Sequence, residues 1–232
     1  MIKATIFDLD DTLYNSTELS THARRSAIRA MIDLGLPVTF EEAYQVLSEV
    51  VGEFGSNYSY HFDQMLKRLG HESKKNIYIS AGMIAYHDMK FSTMRPFQDV
   101  IPTFIALKKL EIKICVLSDG AALKQYEKIL RLRLQDFLDE IIISEEVGIR
   151  KPNPKLFELP LKRFKIQPSE AIYVGDNYKN DIIPCMQLGM HTVLIHRGGK
   201  YDKTLLNLDQ NPPEFDIKDL ADLIPIISKL NT

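Results

Sequence analysis

This 232-residue chain is short of the features that announce a special environment. It has two cysteines, Cys115 within the apolar run "IKICVL" and Cys185 within a helical pattern, with no disulfide framework and no metal-type spacing. Both read as buried free thiols. Its six histidines, at positions 22, 61, 71, 87, 191 and 196, lack paired ligand spacing, so zinc is not expected. No charge of one sign dominates: Lys and Arg number 29 against 31 Asp and Glu, for a formal net charge of −2. That balance offers no polycation to nucleic acid or to an anionic membrane, and a small polar ligand is the better match. No apolar stretch approaches the about 20 residues needed to cross a bilayer, and no basic segment leads into an apolar one at the start. A cytoplasmic enzyme is the expectation. Internal repeats, low-complexity tracts and a long flexible linker are missing as well.

What is present is ordinary globular composition, 45% hydrophobic and 26% charged, over a length that fits one large domain or a core with a modest insertion. Short apolar runs recur: "ATIF" (4–7), "IKICVL" (112–117), "EIIIS" (140–144), "AIYVG" (171–175) and "HTVLI" (191–195). Uninterrupted runs of this length suit strands covered on both faces. Helical patterns over 121–134, 154–165 and 178–188 separate the later ones, although Pro160 and Pro184 argue against unbroken helices there. The alternation predicts an α/β fold, a Rossmann-like doubly wound parallel sheet with right-handed crossovers.

The stretch between the first two runs is too long for one crossover, and 15–92 reads as helix after helix. Thr17 can cap a helix carrying Leu19, Ala23, Ala27, Met31 and Leu34, and Thr39 with Glu42 has a capping-box pattern ahead of "AYQVLSEVVGEF". Segments 58–69 and 76–90 complete a four-helix insertion expected to lie over the end of the first strand, and 95–111 is the crossover helix proper. Residues 1–14 and 93–232 are then an α/β core and 15–92 a helical cap domain. The tail, 214–230, reads as a short strand and a closing helix.

The polar residues gather at predicted strand tips. Asp8 closes the first strand, Ser118 the second, Lys151 follows the third in "GIRKPNP", and Asp176 closes the fourth in "YVGDNYKND". Ligands of open α/β sheets bind at the carboxyl ends of the strands, so these groups should converge. Side chains two apart on a strand share a face, which lets Asp8 and Asp10 address one crevice while Leu9 turns to the core. Clustered carboxylates repel unless a cation balances them, and hard oxygen ligands with room for water favour Mg2+. With that ion and Lys151 both positive, the site suits a phosphate dianion. One carboxylate can attack phosphorus while the other handles the proton of the leaving alcohol.

In order and separation, "FDLDDTLY", "LSDG", the lysine of "RKPNP" and "GDNYKND" resemble the haloacid dehalogenase superfamily over nearly the whole chain, and the helical insertion resembles that family's first cap type. The resemblance implies that Asp8 is a nucleophile forming an aspartyl-phosphate, and that Asp10 protonates the leaving oxygen and then activates water. It implies that Ser118 hydrogen-bonds the phosphoryl group and that Lys151 balances charge. Mg2+ would be held by Asp8, the backbone carbonyl of Asp10, and Asp176, with Asp181 in an outer shell. Dehalogenase members resemble a version without the second acid of the first motif, because expelling halide needs no proton. Asp10 favours phosphate ester hydrolysis.

The resemblance extends to phosphatases of phosphoglycolate, of sugar or triose phosphates such as glyceraldehyde 3-phosphate, and of nucleotide monophosphates. A phosphomutase, a phospho-receiver-type switch and a non-catalytic binding module are the other readings of these residues. Monomer and homodimer are equally open. Thr12 either donates to the carboxylates or caps its loop. Asp119 and Gly120 either present backbone amides to phosphate or form a plain turn. Asp11 reads as a solvated turn residue or a cap, and Arg150 as surface. In "GSNYSYHFDQ" (55–64), Tyr58, Tyr60 and His61 read as a packing seam before a substrate-reading surface, and "HRGGK" (196–200) reads as a loop turn before a phosphate cradle.

Overall fold

Residues Ala4–Phe7 (β1) are buried at every position, which only a strand in the middle of a covered sheet can be. In the computed structural model, which describes residues 1–56, 58–199, 201 and 212–232, β1 is flanked on both sides. The other strands are Lys113–Ser118 (β2), Glu140–Ile143 (β3), Ala171–Gly175 (β4), His191–Ile195 (β5) and Phe215–Ile217 (β6). They form a six-stranded sheet in the order β3-β2-β1-β4-β5-β6, with every pairing parallel. Phe7 stands opposite Val116 on β2 and Val174 on β4. The strand order reverses direction at β1, and a crevice opens at the tips on such a switch point. The expected doubly wound α/β sheet is therefore the fold.

Helices return the chain between strands: Val100–Lys109 (α5) before β2, Ala122–Arg131 (α6) after it, the short Ser144–Val147 (α7) and Pro154–Phe164 (α8) before β4, and Ile183–Leu188 (α9) before β5. Leu223–Leu230 (α10) closes the chain. One face of the sheet packs Ile6, Cys115, Leu117 and Tyr173 against Leu156, Phe157 and Leu161 of α8. Both cysteines are buried free thiols, as their apolar neighbours indicated. Pro160 does not break α8: it is buried beside Leu156, Phe157 and Leu161, and that packing offsets the missing amide bond. Pro102 and Pro184 lie in the first turns of their helices, where no donor is needed.

The chain divides into two compact units, Met1–Thr17 with Arg95–Thr232, and Glu18–Met94. The second is helical. It contains most of Ser16–Asp33 (α1), then Phe40–Phe54 (α2), His61–Arg68 (α3) and Lys75–Thr93 (α4), around a core of Ile28, Met31, Leu47, Met65 and Tyr78. Thr39 caps α2 by accepting from the Glu42 amide at 3.2 Å. Thr17 is not the cap of α1, which begins at Ser16; its amide and hydroxyl instead donate to Asp11 at 2.9 and 2.5 Å. Leu34, expected on the apolar stripe, lies past the end of α1 and is 48% exposed. Tyr58 stacks on Phe54 and meets Tyr60 and His61 edge-on, but Tyr60 is 61% exposed, so this group is a surface cluster and not a buried seam. Among the described residues no helix is long and apolar enough to cross a membrane.

Candidate active site

Asp8 follows the last residue of β1, and its amide donates to the Val174 carbonyl of β4 at 2.9 Å, which holds it at the carboxyl end of the sheet. Its carboxylate is 2.6 Å from the Lys151 ammonium. The same ammonium donates to Asp181 at 2.7 Å and to the Tyr173 hydroxyl at 2.7 Å, and the Tyr173 hydroxyl donates to Asp181 at 3.0 Å. Lys151 is thus a closed knot, its side chain 4% exposed. Burial works against its charge, but Asp181 and Asp8 outweigh that and raise its pKa above the ordinary lysine range.

Asp181 reaches this knot because of two local features. The segment expected to begin a plain helix at 178 is a π-helical turn, Tyr178–Ile182, ahead of α9. Its Asn177 amide donates to the Asp181 carboxylate at 3.2 Å, so the side chain is aimed back at the sheet. Gly175 makes room: a Cβ there would stand 2.7 Å from Asp181 Oδ2.

Asp176 is the third acid. One ligand oxygen from each of Asp8, Asp176 and Asp181 lies within 4.8 Å of the others. Three carboxylates here face one lysine, and the imbalance raises the pKa values of two of them. Desolvation, with Lys151 opposing it and Asp181 adding to it, pushes Asp8 up to about 7. Desolvation, followed by the charges of Asp8 and Asp181, pushes Asp176 up to about 9. Among the described residues, moreover, Asp176 Oδ2 is buried with no hydrogen-bond partner. A buried acceptor without a donor, in an all-oxygen cluster with excess negative charge, is the donor set a hard divalent cation fits.

Asp10 occupies a different environment. The chain leaves the strand after Asp8 and turns at Asp11, whose φ is 59°. The turn comes after Asp10, and Asp8 still feels the Asp10 charge, so the two acids stay near one another while their carboxylates have different partners. Asp10 lies in an isolated bridge with Tyr14, and its carboxylate is gripped by the Lys128 ammonium at 2.8 and 2.7 Å, by Gln125 at 3.4 Å and by the Tyr14 hydroxyl. It is not among the three carboxylates that share ligand distance. Burial would raise its pKa, but the attraction and hydrogen bonds of Lys128 outweigh burial and hold it below the usual carboxylate value.

The remaining predicted residues are placed as follows. Ser118 is the buried last residue of β2, beside β1. The Thr12 hydroxyl is 3.5 Å from Asp8 Oδ2. Asp11 is 7% exposed, not solvated, and caps the start of α1 through Thr17. The Gly120 amide is not presented to a ligand: it donates to Ser144 Oγ at 3.1 Å. Asp119 acts through its side chain, which accepts from the Lys151 amide at 3.2 Å and so ties the second strand tip to the third. Arg150 is exposed. Arg197 of the "HRGGK" loop forms a paired contact with Asp99 at 2.7 and 3.0 Å and donates to the Thr12 carbonyl at 3.2 Å, whereas Lys200 lies outside the described residues.

Sequence reasoning missed Tyr173, Gln125, Lys128 and Tyr14. Gln125 and Lys128 carried a usable signal, since residues three apart on a helix share a face and α6 begins at the tip of β2. Tyr173 stands two residues before Gly175 on a strand otherwise apolar, which also marks it.

Residues 5–195 match the family model described as haloacid dehalogenase-like hydrolase. Among curated proteins the chain is similar to a glyceraldehyde 3-phosphate phosphatase of Methanopyrus kandleri, 44% identical over 232 residues with 99% of each chain covered. It is also similar to a glyceraldehyde 3-phosphate phosphatase of Methanocaldococcus jannaschii, 42% identical over 230 residues and again 99% of each chain. Among solved structures, a HAD phosphatase of Thermococcus onnurineus shares the fold, with a TM-score of 0.67 at 24% identity over 97% of this chain and 98% of that one.

Proposed function

Since this chain belongs to the haloacid dehalogenase-like hydrolase family, we propose that it is a Mg2+-dependent phosphatase acting on a small phosphorylated sugar, with glyceraldehyde 3-phosphate the leading substrate. The observation that carries this reading is that the first two acids have different partners: Asp8 is held by Lys151 and Asp10 by Lys128. A reaction that expels an alcohol needs a nucleophile and a separate proton carrier, and two carboxylates in distinct surroundings supply both. The substrate rests on near-full-length relatives that bear that name.

In this reading Asp8 attacks phosphorus in line and forms an aspartyl-phosphate. Asp10, ionised in the free site, takes up a proton from the phosphate monoanion of the bound substrate and gives it to the departing sugar oxygen, then takes one from the water that hydrolyses the acyl-phosphate. Lys151 keeps Asp8 oriented and offsets the charge of the phosphoryl group, and the Ser118 hydroxyl donates to a phosphoryl oxygen. Asp8, Asp176 and the Asp10 backbone carbonyl would hold Mg2+, with Asp181 in its outer shell. The ion would supply the positive charge that keeps Asp8 ionised and neutralises the phosphate dianion. Thr12 steadies Asp8. The helical insertion is the proposed cap domain, and the partner is the small phosphorylated metabolite alone.

The test is phosphate release from glyceraldehyde 3-phosphate, phosphoglycolate, sugar phosphates and nucleoside monophosphates, compared by kcat/KM with Mg2+ and with EDTA. Glyceraldehyde 3-phosphate should rank first, and Asp8→Asn or EDTA should abolish turnover. Undiminished activity in Asp8→Asn would overturn the mechanism; a higher kcat/KM for another ester would overturn the substrate.

A further inference from the structure

The Asp10 carboxylate is held more completely than a chance ion pair requires. Lys128 meets both of its oxygens, at 2.8 and 2.7 Å, Gln125 donates to one and the Tyr14 hydroxyl to the other. The Lys128 side chain is only 16% exposed, unlike the freely moving ammonium of a surface pair, which contributes little. Gln125 also donates to the Asp119 carbonyl, so a single amide joins the Asp10 turn to the tip of β2. Gly120 leaves the space that this requires. A Cβ at Gly120 would lie 2.5 Å from Gln125 Nε2, and its φ of 144° is one that side-chain-bearing residues rarely adopt. Three separate positions, on the first turn, the second strand tip and one face of α6, therefore combine to fix two oxygen atoms.

Proton transfer in a transition state rewards such fixing, because a carboxylate turned out of line loses the effective concentration that orientation supplies. We propose that Lys128, with Gln125, is the positioning residue for Asp10: α6 holds this carboxylate in the orientation its proton transfers need. The inference rests on the phosphatase reading above. Lys128 touches neither Asp8 nor its ammonium partner in this assignment and acts on the reaction through Asp10.

The experiment compares kcat/KM for two esters, glyceraldehyde 3-phosphate and p-nitrophenyl phosphate. This parameter covers the steps through the first irreversible one, in which the leaving oxygen departs. An alkoxide must be protonated as it leaves, whereas p-nitrophenolate leaves unaided. Lys128→Met should lower kcat/KM about 10²-fold on the sugar phosphate and less than about 10-fold on p-nitrophenyl phosphate. Asp10→Asn should show the same skew, and the double variant should lose little beyond Asp10→Asn alone. Lys128→Arg, which keeps the charge and the paired donors, should recover most of the activity, and it serves as the second test if Lys128→Met fails to fold. Equal losses on both esters in Lys128→Met, with the skew intact in Asp10→Asn, would mean that Lys128 binds phosphate or merely supports the fold, and would overturn this inference alone. Absence of the skew in Asp10→Asn would overturn the role of Asp10 itself, and with it the reading on which the inference rests.

Discussion

Lys151 Nζ lies 2.6 Å from Asp8 Oδ1, although 143 positions separate the two residues in the chain. Their side chains are 4% and 11% exposed, so the pair is buried and each charge depends on the other. Removing one member of such a pair leaves an uncompensated charge in a medium that solvates it poorly, at a cost of about 3–5 kcal/mol. Lys151→Met should therefore destabilise the metal-free protein by about that amount at pH 8, measured by urea denaturation. At pH 5 the loss should shrink, because the orphaned carboxylates can take up protons. An equal loss at both pH values would show that lost packing, and not charge, is responsible.

A second prediction concerns the cation. Asp8 and Asp176 are raised from 3.8 to about 7 and about 9, so between those limits the folded chain binds more protons than the unfolded one. Its stability without metal must then fall as pH rises from about 4 through 7 toward 9. Mg2+ has to displace the same protons, so its stabilising effect should grow with pH. Thermal melts in EDTA and in Mg2+ should differ little at pH 5 and most at pH 8.5. A constant difference across that range would separate Mg2+ binding from these two acids.

Gly175 offers a steric test. Its φ is not in the left-handed region, so the objection to a side chain there is the Asp181 carboxylate, 2.7 Å from a built Cβ. Gly175→Ala should cost about 1–3 kcal/mol by overpacking and displace Asp181. Calorimetric titration should show weakened Mg2+ binding in this variant. Unchanged affinity would remove Asp181 from the surroundings of the ion.

Arg197 and Asp99 supply a pH effect away from the carboxylate cluster. Burial would raise the Asp99 pKa, but the hydrogen bonds from Arg197 and from the Leu220 amide, at 2.8 Å, lower it. A depressed carboxylate contributes stability above its unfolded value of 3.8 and loses it as pH falls through the lower folded value. Asp99→Asn should reduce stability at pH 7 by about 1.5–3 kcal/mol and flatten the acid limb of the denaturation profile. An unaltered acid limb would assign that limb to other carboxylates.

Much of the scaffold was legible because it is encoded locally. The runs 171–175 and 191–195 are strands at the boundaries that their apolar residues suggested, since a strand covered on both faces has no room for polar side chains. The helix at 178–188 was legible as a helix but not as a π turn followed by an α-helix, because that wider turn answers to the position of Asp181 against β4. Asp11 is the cap that its turn reading allowed, but it is buried and not solvated, since strand parity stops applying once the backbone reaches a φ of 59°. For Gly120 the sequence left a phosphate amide and a plain turn open, and the structure engages its amide with Ser144, a partner 24 residues away.

The order of residues alone determined the parallel sheet, the helical insertion and the arrival of Asp8, Ser118 and Asp176 at strand ends with Lys151 in the connection after β3, since periodicity and strand direction are properties of neighbours in the chain. Which acid each cation holds was decided only in three dimensions. Lys151 with Asp8 and Asp181, and Lys128 with Asp10, are pairings set by the rotation of α6, the turn after β1 and the π turn after β4. No local pattern specifies those angles, because they come from the packing of elements far apart in sequence.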